Sequence, residues 1–363
     1  MKIRPKEPAN NCCGTSQEKD ACCPPEAPAT SAFRTDSALT LKDTLAHLRC
    51  RVGSYRTKYL VTPGLYAIGN PGKDSDVFVT ANYGLSFNKL RAALAGFDAW
   101  ILVLDTKGIN VWCAAGKGTF GTDELVKRIF STRLLSVVSH RRLILPQLGG
   151  PGVAAHEIKR QTGFRVIYGP VKASDIKGFV EAGYRATAQM RKVDFDLIDR
   201  VVLTPMELRP AMKGLVIFAV LALVVSGLSP AGISWKEAAV YGLPLALLGA
   251  MSVIAGAFLT PLILPWVPFK SFALKGWVVG LLTVFASGLF LNWPSSVYLD
   301  IAKYIFFPLA SSYVALQFTG STVYTGISGV KKELRYSIPV YIAGTVISFA
   351  LLAAFKITEW GLL

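Results

Sequence analysis

Hydrophobic and polar positions are distributed differently in the two parts of this 363-residue chain. From Lys213 onward, long apolar runs are interrupted by only nine basic and four acidic side chains, whereas earlier residues carry thirty basic and nineteen acidic ones. Long uncharged runs are typical of membrane segments, and short alternating runs are typical of soluble domains. We therefore expect a disordered tail at 1–38, a soluble domain at 39–205 and a transmembrane domain at 206–363.

Short β-rich runs alternate with amphipathic segments in the soluble part. The strand candidates are YLVTPGLYAIG, DVFVTANY, AWILVLDT, RRLILPQL and RVIYGP. Helical spacing is found at 86–95, 122–131, 153–162 and 174–190. Buried strands that alternate with helices predict an α/β doubly wound, Rossmann-like fold with a mostly parallel sheet.

Five apolar segments follow, and a bilayer-spanning helix needs about 17 to 25 such residues. They cover 215–228, which is the shortest, 238–264, 276–293, 297–318 and 338–357. Lysine and arginine residues cluster before the first segment, between the second and third, and between the fourth and fifth. The positive-inside rule then predicts a multi-pass protein of the cytoplasmic membrane with its α/β domain in the cytoplasm.

The first 38 residues are rich in Pro, Ala, Ser and Thr, which predicts a disordered tail, and they do not form a signal peptide. Thiols stay reduced in the cytosol, so the six cysteines are not expected to form a disulfide framework. Two adjacent pairs, Cys12–Cys13 and Cys22–Cys23, suit a soft metal ion. The alternative is that these cysteines are incidental to a disordered tail.

Four loops rich in Gly, Pro and small polar residues follow the predicted strands: TANYGLS, DTKGINVWCAAGKG, PQLGGPG and GPVKASD. In a parallel sheet these loops share one edge, where ligands bind, and together they would suit a large ligand. The alternative is that Gly and Pro only form turns. The AAGKG segment is not a P-loop, because Val111 and Gly118 occupy its required Gly and Ser/Thr positions. His47, His140 and His156 have no metal-ligand spacing.

One loop contains a single cysteine, in the sequence NVWCAAGK at 110–117. Asn110 can cap a short helix, and Gly116 can close it in a left-handed conformation. Cys113 would then lie in the first turn, where the positive helix end and Lys117 favour its thiolate. Small alanines beside it would let a planar group approach the backbone. The alternative is a buried, structural cysteine.

The NVWCAAGK segment resembles the cap-helix motif N-(V/I)-W-C-(A/S)-A-G-K of the HgcA family, the membrane-bound corrinoid proteins of microbial mercury methylation. The match is complete over eight positions, and the layout of a corrinoid domain followed by five spans is similar. Residues 77–87 and 169–176 are similar to segments of the corrinoid iron–sulfur protein of the acetyl-CoA pathway. The two cysteine pairs of the tail have no counterpart in these motifs.

The resemblance implies a cobalamin cofactor with Cys113 as the lower axial ligand of cobalt. It implies transfer of a methyl group from methylcobalamin to mercury(II), as a carbanion equivalent or a radical, to give methylmercury. Asn110 would hold the cap helix, and Trp112 would pack it against the domain. The other candidate cofactor-binding residues are Val111, Ala114, Ala115, Gly116, Lys117, Thr80, Asn82, Gly149, Gly150 and Gly152.

The resemblance also implies partners: a ferredoxin-like protein with two iron–sulfur clusters, which supplies electrons and is a possible mercury donor, and a methyl-folate methyl donor system. We expect a lipid bilayer and no nucleic acid among the other partners. One alternative function is a corrinoid methyl carrier of one-carbon metabolism. Another is a cobalamin or metal transporter, for which Asp300 and Lys303 are the main ionisable candidates, although their spacing indicates an interfacial pair.

Overall fold

The computed structural model describes residues 32–362 except 292, 294, 295, 323, 324 and 326. The two cysteine pairs of the tail therefore lie outside the described residues. The two described cysteines, Cys50 and Cys113, are free thiols.

The amino-terminal part alternates strands and helices. Its strands are β1 (Phe33–Thr35), β2 (Gly64–Ile68), β3 (Val77–Ala81), β4 (Ala99–Leu104), β5 (Arg142–Leu145) and β6 (Arg165–Tyr168). Its helices are α1 (Leu41–Val52), α2 (Gly84–Ala93), α3 (Val111–Lys117), α4 (Thr122–Ser131), α5 (Leu134–Val137), α6 (Ala155–Thr162) and α7 (Ile176–Glu181). Short 3-10 turns lie at Ser54–Thr57, Gln147–Gly152 and Ala173–Asp175.

The six strands form one sheet in the order β1-β2-β4-β3-β5-β6. Strands β4, β3, β5 and β6 are parallel, and β2 is antiparallel to β4. The connection from β2 to β3 has only eight residues, which is too short for a parallel crossover. The predicted α/β fold with a mostly parallel sheet is confirmed.

Two apolar clusters cover the two faces of this sheet. Val77, Val79 and Leu102 pack with α3, α4 and α6 on one face. Phe78 and Ile101 point to the opposite face and pack with α2 and α7. Alternate side chains of each strand therefore enter different cores, which explains why the strands read as continuous apolar runs.

Two local predictions were wrong, and one helix was missed. Strand β1 lies within the 1–38 segment predicted to be disordered, because it pairs in parallel with β2. Helix α1 was missed, although Thr40 and Asp43 form a reciprocal capping box at its start. Helix α7 ends at Glu181 rather than at 190, because Gly183 and Tyr184 adopt left-handed φ angles of 66° and 63°.

The carboxy-terminal part is helical. Its helices are α8 (Leu197–Gly227), α9 (Trp235–Leu262), α10 (Phe272–Ser287), α11 (Val297–Gln317) and α12 (Ile327–Glu359), and a small hairpin of β7 (Leu228–Ser229) and β8 (Gly232–Ile233) joins the first two. A 3-10 turn at Phe318–Ser321 follows α11. Asp300 and Lys303, in the first turns of α11, pair with each other at 2.5 Å.

Within the described residues, four of these helices are long and apolar enough to cross a membrane, rather than the predicted five. Helix α10 is the exception, although the first predicted segment had been the shortest. Its 16 residues span only about 24 Å, less than the hydrocarbon core of a typical bilayer, which is about 30 Å thick. The first segment is long enough because α8 starts well before it, at Leu197.

Helix α8 runs without interruption across the predicted domain boundary between 205 and 206. Phe195, just before α8, packs against Phe318 with a ring separation of 6.3 Å. Leu203 packs on the cluster that contains Phe272 and Leu316. The start of α8 is therefore fixed against one end of the helical region.

Candidate functional site

The carboxyl ends of β3, β4, β5 and β6 lie at one edge of the sheet because these strands are parallel. Their loops line a cleft of about 770 Å³, which Thr80, Asn110, Pro146 and Gly169 help to enclose. This volume lies within the range of small-molecule and cofactor sites. The structure thus brings together the four loops that the sequence placed at one rim.

Helix α3 carries the single cysteine of this rim. The Asn110 side-chain oxygen accepts a hydrogen bond from the Cys113 N–H at 2.9 Å, so Asn110 is the N-cap. The helix ends at Lys117, and the left-handed residue that closes it is its C-cap Gly118, with φ of 77°, rather than Gly116. Gly116 remains helical because the chain makes two turns before it reverses. Cys113 is half-buried in the first turn.

The two faces of α3 differ from the predicted arrangement. Val111, Ala114 and Ala115 are buried against the domain, so the alanines do not flank the thiol on the outside. Trp112 is 41% exposed, which contradicts the prediction that it packs the helix against the core. Cys113 is followed on the outward face by Gly116 and Lys117, because residues three and four apart share a helix face. Gly116 leaves this face flat next to the thiol.

Glycines beneath α3 allow it to approach the sheet edge. A Cβ atom at Gly152 would overlap the Phe120 carbonyl oxygen and lie 3.0 Å from the Ala115 Cα. A Cβ atom at Gly149 would lie 2.5 Å from the Phe120 ring. Gly150 is less constrained, with its nearest such neighbour, Tyr168, at 3.8 Å. Gly149 and Gly152 therefore allow close packing that sets the distance between α3 and the loop beneath it.

Thr80 and Asn82 are both buried at the end of β3, but they do different things. Thr80 lines the cleft. The Asn82 side-chain oxygen accepts hydrogen bonds from the Thr106 N–H, the Thr106 hydroxyl and the Gly108 N–H at 2.9–3.0 Å. Asn82 thus holds the loop that leads into α3, and its oxygen is engaged within the protein.

The N-cap and first turn of α8 form a wall of the cleft that the sequence analysis missed. Asp196 and Asp199 line the cleft, and the Asp196 carboxylate accepts a hydrogen bond from the Asp199 N–H at 2.9 Å. Lys172 donates to Asp194 at 3.0 Å, and this hydrogen bond and charge raise the pKa of Lys172. An aspartate ahead of an apolar run is a helix-start signal, so Asp196 could have been found.

The histidines take part in local contacts. His47 lies 2.9 Å from the Asn88 amide nitrogen, and His140 lies 2.9 Å from the Ser75 carbonyl oxygen. His156 is near Glu157. In the part of the chain that the structure describes, no group of three or more His, Cys, Asp or Glu side chains could hold a metal ion.

Comparisons with known proteins concern this α/β part. The family model described as CO dehydrogenase/acetyl-CoA synthase delta subunit matches residues 37–180. The acetyl-CoA decarbonylase/synthase complex subunit gamma of Archaeoglobus fulgidus is 35% identical over 131 residues, which are 36% of this chain and 27% of that protein. The subunit of the same name from Methanopyrus kandleri is 34% identical over 140 residues, or 38% and 30% of the two chains.

The same subunit of Methanocaldococcus jannaschii is 31% identical over 134 residues, which are 36% of this chain and 27% of the relative. This chain therefore spans less than a third of the length of these relatives. The family match ends at residue 180, before α8 and the other candidate spans begin. The α/β part is thus similar to a portion of subunits of this complex.

Proposed function

We propose that residues 39–205 bind a corrinoid and that the chain transfers its methyl group. The comparisons with decarbonylase/synthase subunits support the corrinoid and the methyl-transfer class, since residues 77–87 and 169–176 resemble the corrinoid iron–sulfur protein of the acetyl-CoA pathway. The observation that carries the proposal is the capped helix α3, which presents a free, half-exposed thiol beside a large cleft.

The residues at the rim suit such a cofactor. A corrinoid has a planar ring and a long nucleotide tail, and its cobalt supplies a centre that accepts and releases a methyl group. The outward face of α3 is flat at Gly116 and carries a soft ligand at Cys113, while the adjoining cleft has room for a tail. Cys113 itself is not among the residues that line the cleft, so the two features would serve different parts of the ligand.

The proposed roles of the protein residues follow from their contacts. Cys113 would hold the metal of the corrinoid as a thiolate, an anionic donor that would increase electron density at the metal. Asn110 orients this ligand through the Cys113 N–H. Gly149 and Gly152 let α3 and the Phe120 segment pack close to the sheet edge, which would fix the position of Cys113. Thr80 and the loop that follows β5 are positioned to contact the corrin or its tail.

The methyl acceptor has two candidates. A carbon acceptor in acetyl-CoA metabolism is favoured by the names of the relatives. Mercury(II) is favoured by the complete match of residues 110–117 to the HgcA cap-helix motif. A thiolate ligand at Cys113 would favour transfer of the methyl group to an electrophile such as mercury(II). A two-cluster ferredoxin-like protein would supply electrons, and a methyl-folate system would supply the methyl group. The α/β part would face the cytoplasm.

The ligand assignment can be tested with the full chain in detergent, loaded with methylcobalamin. We expect optical and EPR spectra of thiolate-ligated cobalt in the wild type and in the matched control Cys50→Ala, but not in Cys113→Ala. Coincident spectra of wild type and Cys113→Ala would contradict the proposal, because the thiol would then not bind the metal.

The acceptor can be tested on the same loaded protein. Addition of mercury(II) chloride should yield methylmercury in a Cys113-dependent reaction if mercury is the acceptor. Incubation with an acetyl-CoA decarbonylase/synthase complex, CO and coenzyme A should instead yield acetyl-CoA if the chain is a methyl carrier. Methylmercury formed equally by Cys113→Ala would remove the argument for mercury.

A further inference from the structure

Helix α1 exposes its apolar face. Leu41, Leu45, Leu48 and Val52 follow the spacing of one helix face, and each is between 50% and 84% exposed. The opposite face packs on the domain through Ala46 and Cys50, which are buried. An apolar stripe normally points into the core, so this helix has the reverse orientation and leaves its stripe without a partner among the described residues.

Charged side chains are arranged around this stripe in a definite way. Lys42 and Arg49 flank it on one side, and Arg51 flanks it on the other, given 100° per residue. The acidic residue of the helix, Asp43, faces the domain, where it pairs with Arg91 at 2.7 Å. The outward surface of α1 is therefore apolar at its centre and basic at both margins.

The level of the membrane can be estimated along α8. Leu203 packs on the cluster of helix ends that contains Phe272 and Leu316. At the other end, the Ser226 carbonyl oxygen accepts a hydrogen bond from the Lys356 ammonium group at 2.6 Å. These two positions on α8 are about 35 Å apart at a rise of about 1.5 Å per residue, close to the thickness of a hydrocarbon core. Arg209 and Lys213 are exposed on α8 just before its apolar run begins at Leu215, so the boundary near the α/β part lies in the stretch between Leu203 and Lys213.

The carboxyl end of α1 reaches the same level. In the turn that follows it, the Arg56 guanidinium lies 3.9 Å from the Met206 sulfur of α8. A methyl group added at Gly53 would lie 3.5 Å from the Arg209 guanidinium. Met206 and Arg209 lie within the boundary stretch of α8, so α1 ends at the level of the bilayer boundary.

We infer that α1 is an amphipathic helix that lies in the membrane interface and docks the α/β part on a lipid surface. Its four apolar side chains enter the acyl region, and Lys42, Arg49 and Arg51 contact anionic headgroups. This combination of an apolar stripe, basic margins and a position at the boundary is that of interfacial helices. The contact is independent of what the rim binds.

The test uses the full chain in nanodiscs of phosphatidylcholine and phosphatidylglycerol that contain a phospholipid with a diazirine in its acyl chain. After illumination, peptides that carry lipid adducts are identified by mass spectrometry. We expect adducts on 41–52 and on the apolar part of α8. Phe130 on α4 is also exposed and serves as the matched control, which should remain unlabelled.

The double variant Leu45→Gln with Leu48→Gln should lose its α1 adducts by about tenfold or more, while labelling of α8 is unchanged. Both side chains are exposed, and continued protection of Cys50 from alkylation verifies that α1 still packs on the domain. Labelled α8 with unlabelled wild-type α1 would overturn the inference. A protein cross-linker that joined α1 to residues 1–31 or to a second copy would then identify the true occupant.

Discussion

Helices α1 and α3 begin in the same way and then face opposite environments. The Thr40 hydroxyl accepts from the Asp43 N–H at 3.2 Å, and the Asn110 side chain accepts from the Cys113 N–H at 2.9 Å. Helix α3 buries its small apolar residues and exposes a thiol and an indole. Helix α1 exposes its large apolar residues and buries its thiol. A cap signal therefore locates a helix start without indicating which face will be buried.

The two cysteines show what this difference means for chemistry. Cys50 is 1% exposed, and burial raises the pKa of its thiol despite the charges of Arg56 and Arg51. Cys113 is half-exposed in the first turn of α3. The same residue type in two capped helices is thus inert in one and available in the other, because only thiolates that reagents can reach are reactive.

The largest expected difference between the two helices is in thiol alkylation. At pH 7.5, iodoacetamide should modify Cys113 roughly 100-fold faster than Cys50, because Cys50 is reached only when α1 opens. Peptide mapping by mass spectrometry resolves these sites from the tail cysteines. If Cys50 and Cys113 were alkylated at equal rates in the folded protein, and denaturant accelerated both equally, α1 would not bury Cys50.

Two glycines beside α3 should differ next most strongly. Gly152→Ala should destabilise the α/β part by about 1–3 kcal/mol, since its Cβ overlaps the Phe120 carbonyl oxygen. Gly116→Ala has open space and a helical conformation, so it should be neutral or stabilise the protein by up to about 1 kcal/mol.

Thermal unfolding of the full chain gives this comparison. A weaker binding of methylcobalamin by Gly116→Ala, without loss of stability, would locate the ring on the outward face of α3. Gly152→Ala as stable as the wild type would show that the underside of α3 is not tightly packed.

The caps should have similar, smaller effects. Asn110→Ala and Thr40→Ala should each cost about 1 kcal/mol of local stability, which raises amide exchange about fivefold in the first turn of the helix concerned. Asn110→Asp retains an acceptor and is the matched control. Hydrogen exchange measured by mass spectrometry separates the two helices, and a change that appeared in both from either variant would contradict their independence.

Acid should affect α1 more than α3. Burial raises the pKa of Asp43, but hydrogen bonds from Thr40 and Tyr59 and the charge of Arg91 outweigh burial and hold the pKa well below its ordinary value of about 4. A carboxyl group whose pKa is lowered in the folded state stabilises the fold at pH values above its ordinary pKa. This contribution is lost as the pH falls from the ordinary pKa through the lowered one.

We therefore expect the local stability of α1 to fall by less than about 1 kcal/mol as the pH is lowered from 6 to below 4. The local stability of α3, whose cap is a neutral amide, should not change over this range. Exchange rates corrected for intrinsic pH dependence measure this. In Asp43→Asn the acid dependence of α1 should disappear, and its persistence would assign the effect to another group.

The periodicity of the sequence was sufficient for the mostly parallel sheet and for the rim, because continuous apolar runs bounded by Gly and Pro are typical of buried strands. It also located the Asn110 cap. It could not show that Gly118 rather than Gly116 ends α3, since either glycine can adopt a left-handed conformation. The resemblance implied that Trp112 packs the cap helix against the domain, but its position on the helix leaves it 41% exposed.

Other features depend on tertiary contacts that local patterns do not contain. Strand β1 is short and polar, and only its pairing with β2 defines it. The apolar stripe of α1 was not recognised, although a capping box marks the start of this helix. The cleft wall at Asp196 and Asp199 comes from a segment that is distant from the rim loops along the chain.

Helix α8 connects that cleft wall directly to the helical region, without an intervening hinge loop. A continuous helix transmits rotation, because each residue turns it by about 100° and advances it by about 1.5 Å. The number of residues in α8 between Asp199 and Leu203 therefore sets both the rotation of the cleft about the helix axis and its distance from the helical region. One inserted residue would rotate the cleft by about 100° relative to the helical region. Seven inserted residues would nearly restore the original orientation, with the cleft about 10 Å farther from the helical region.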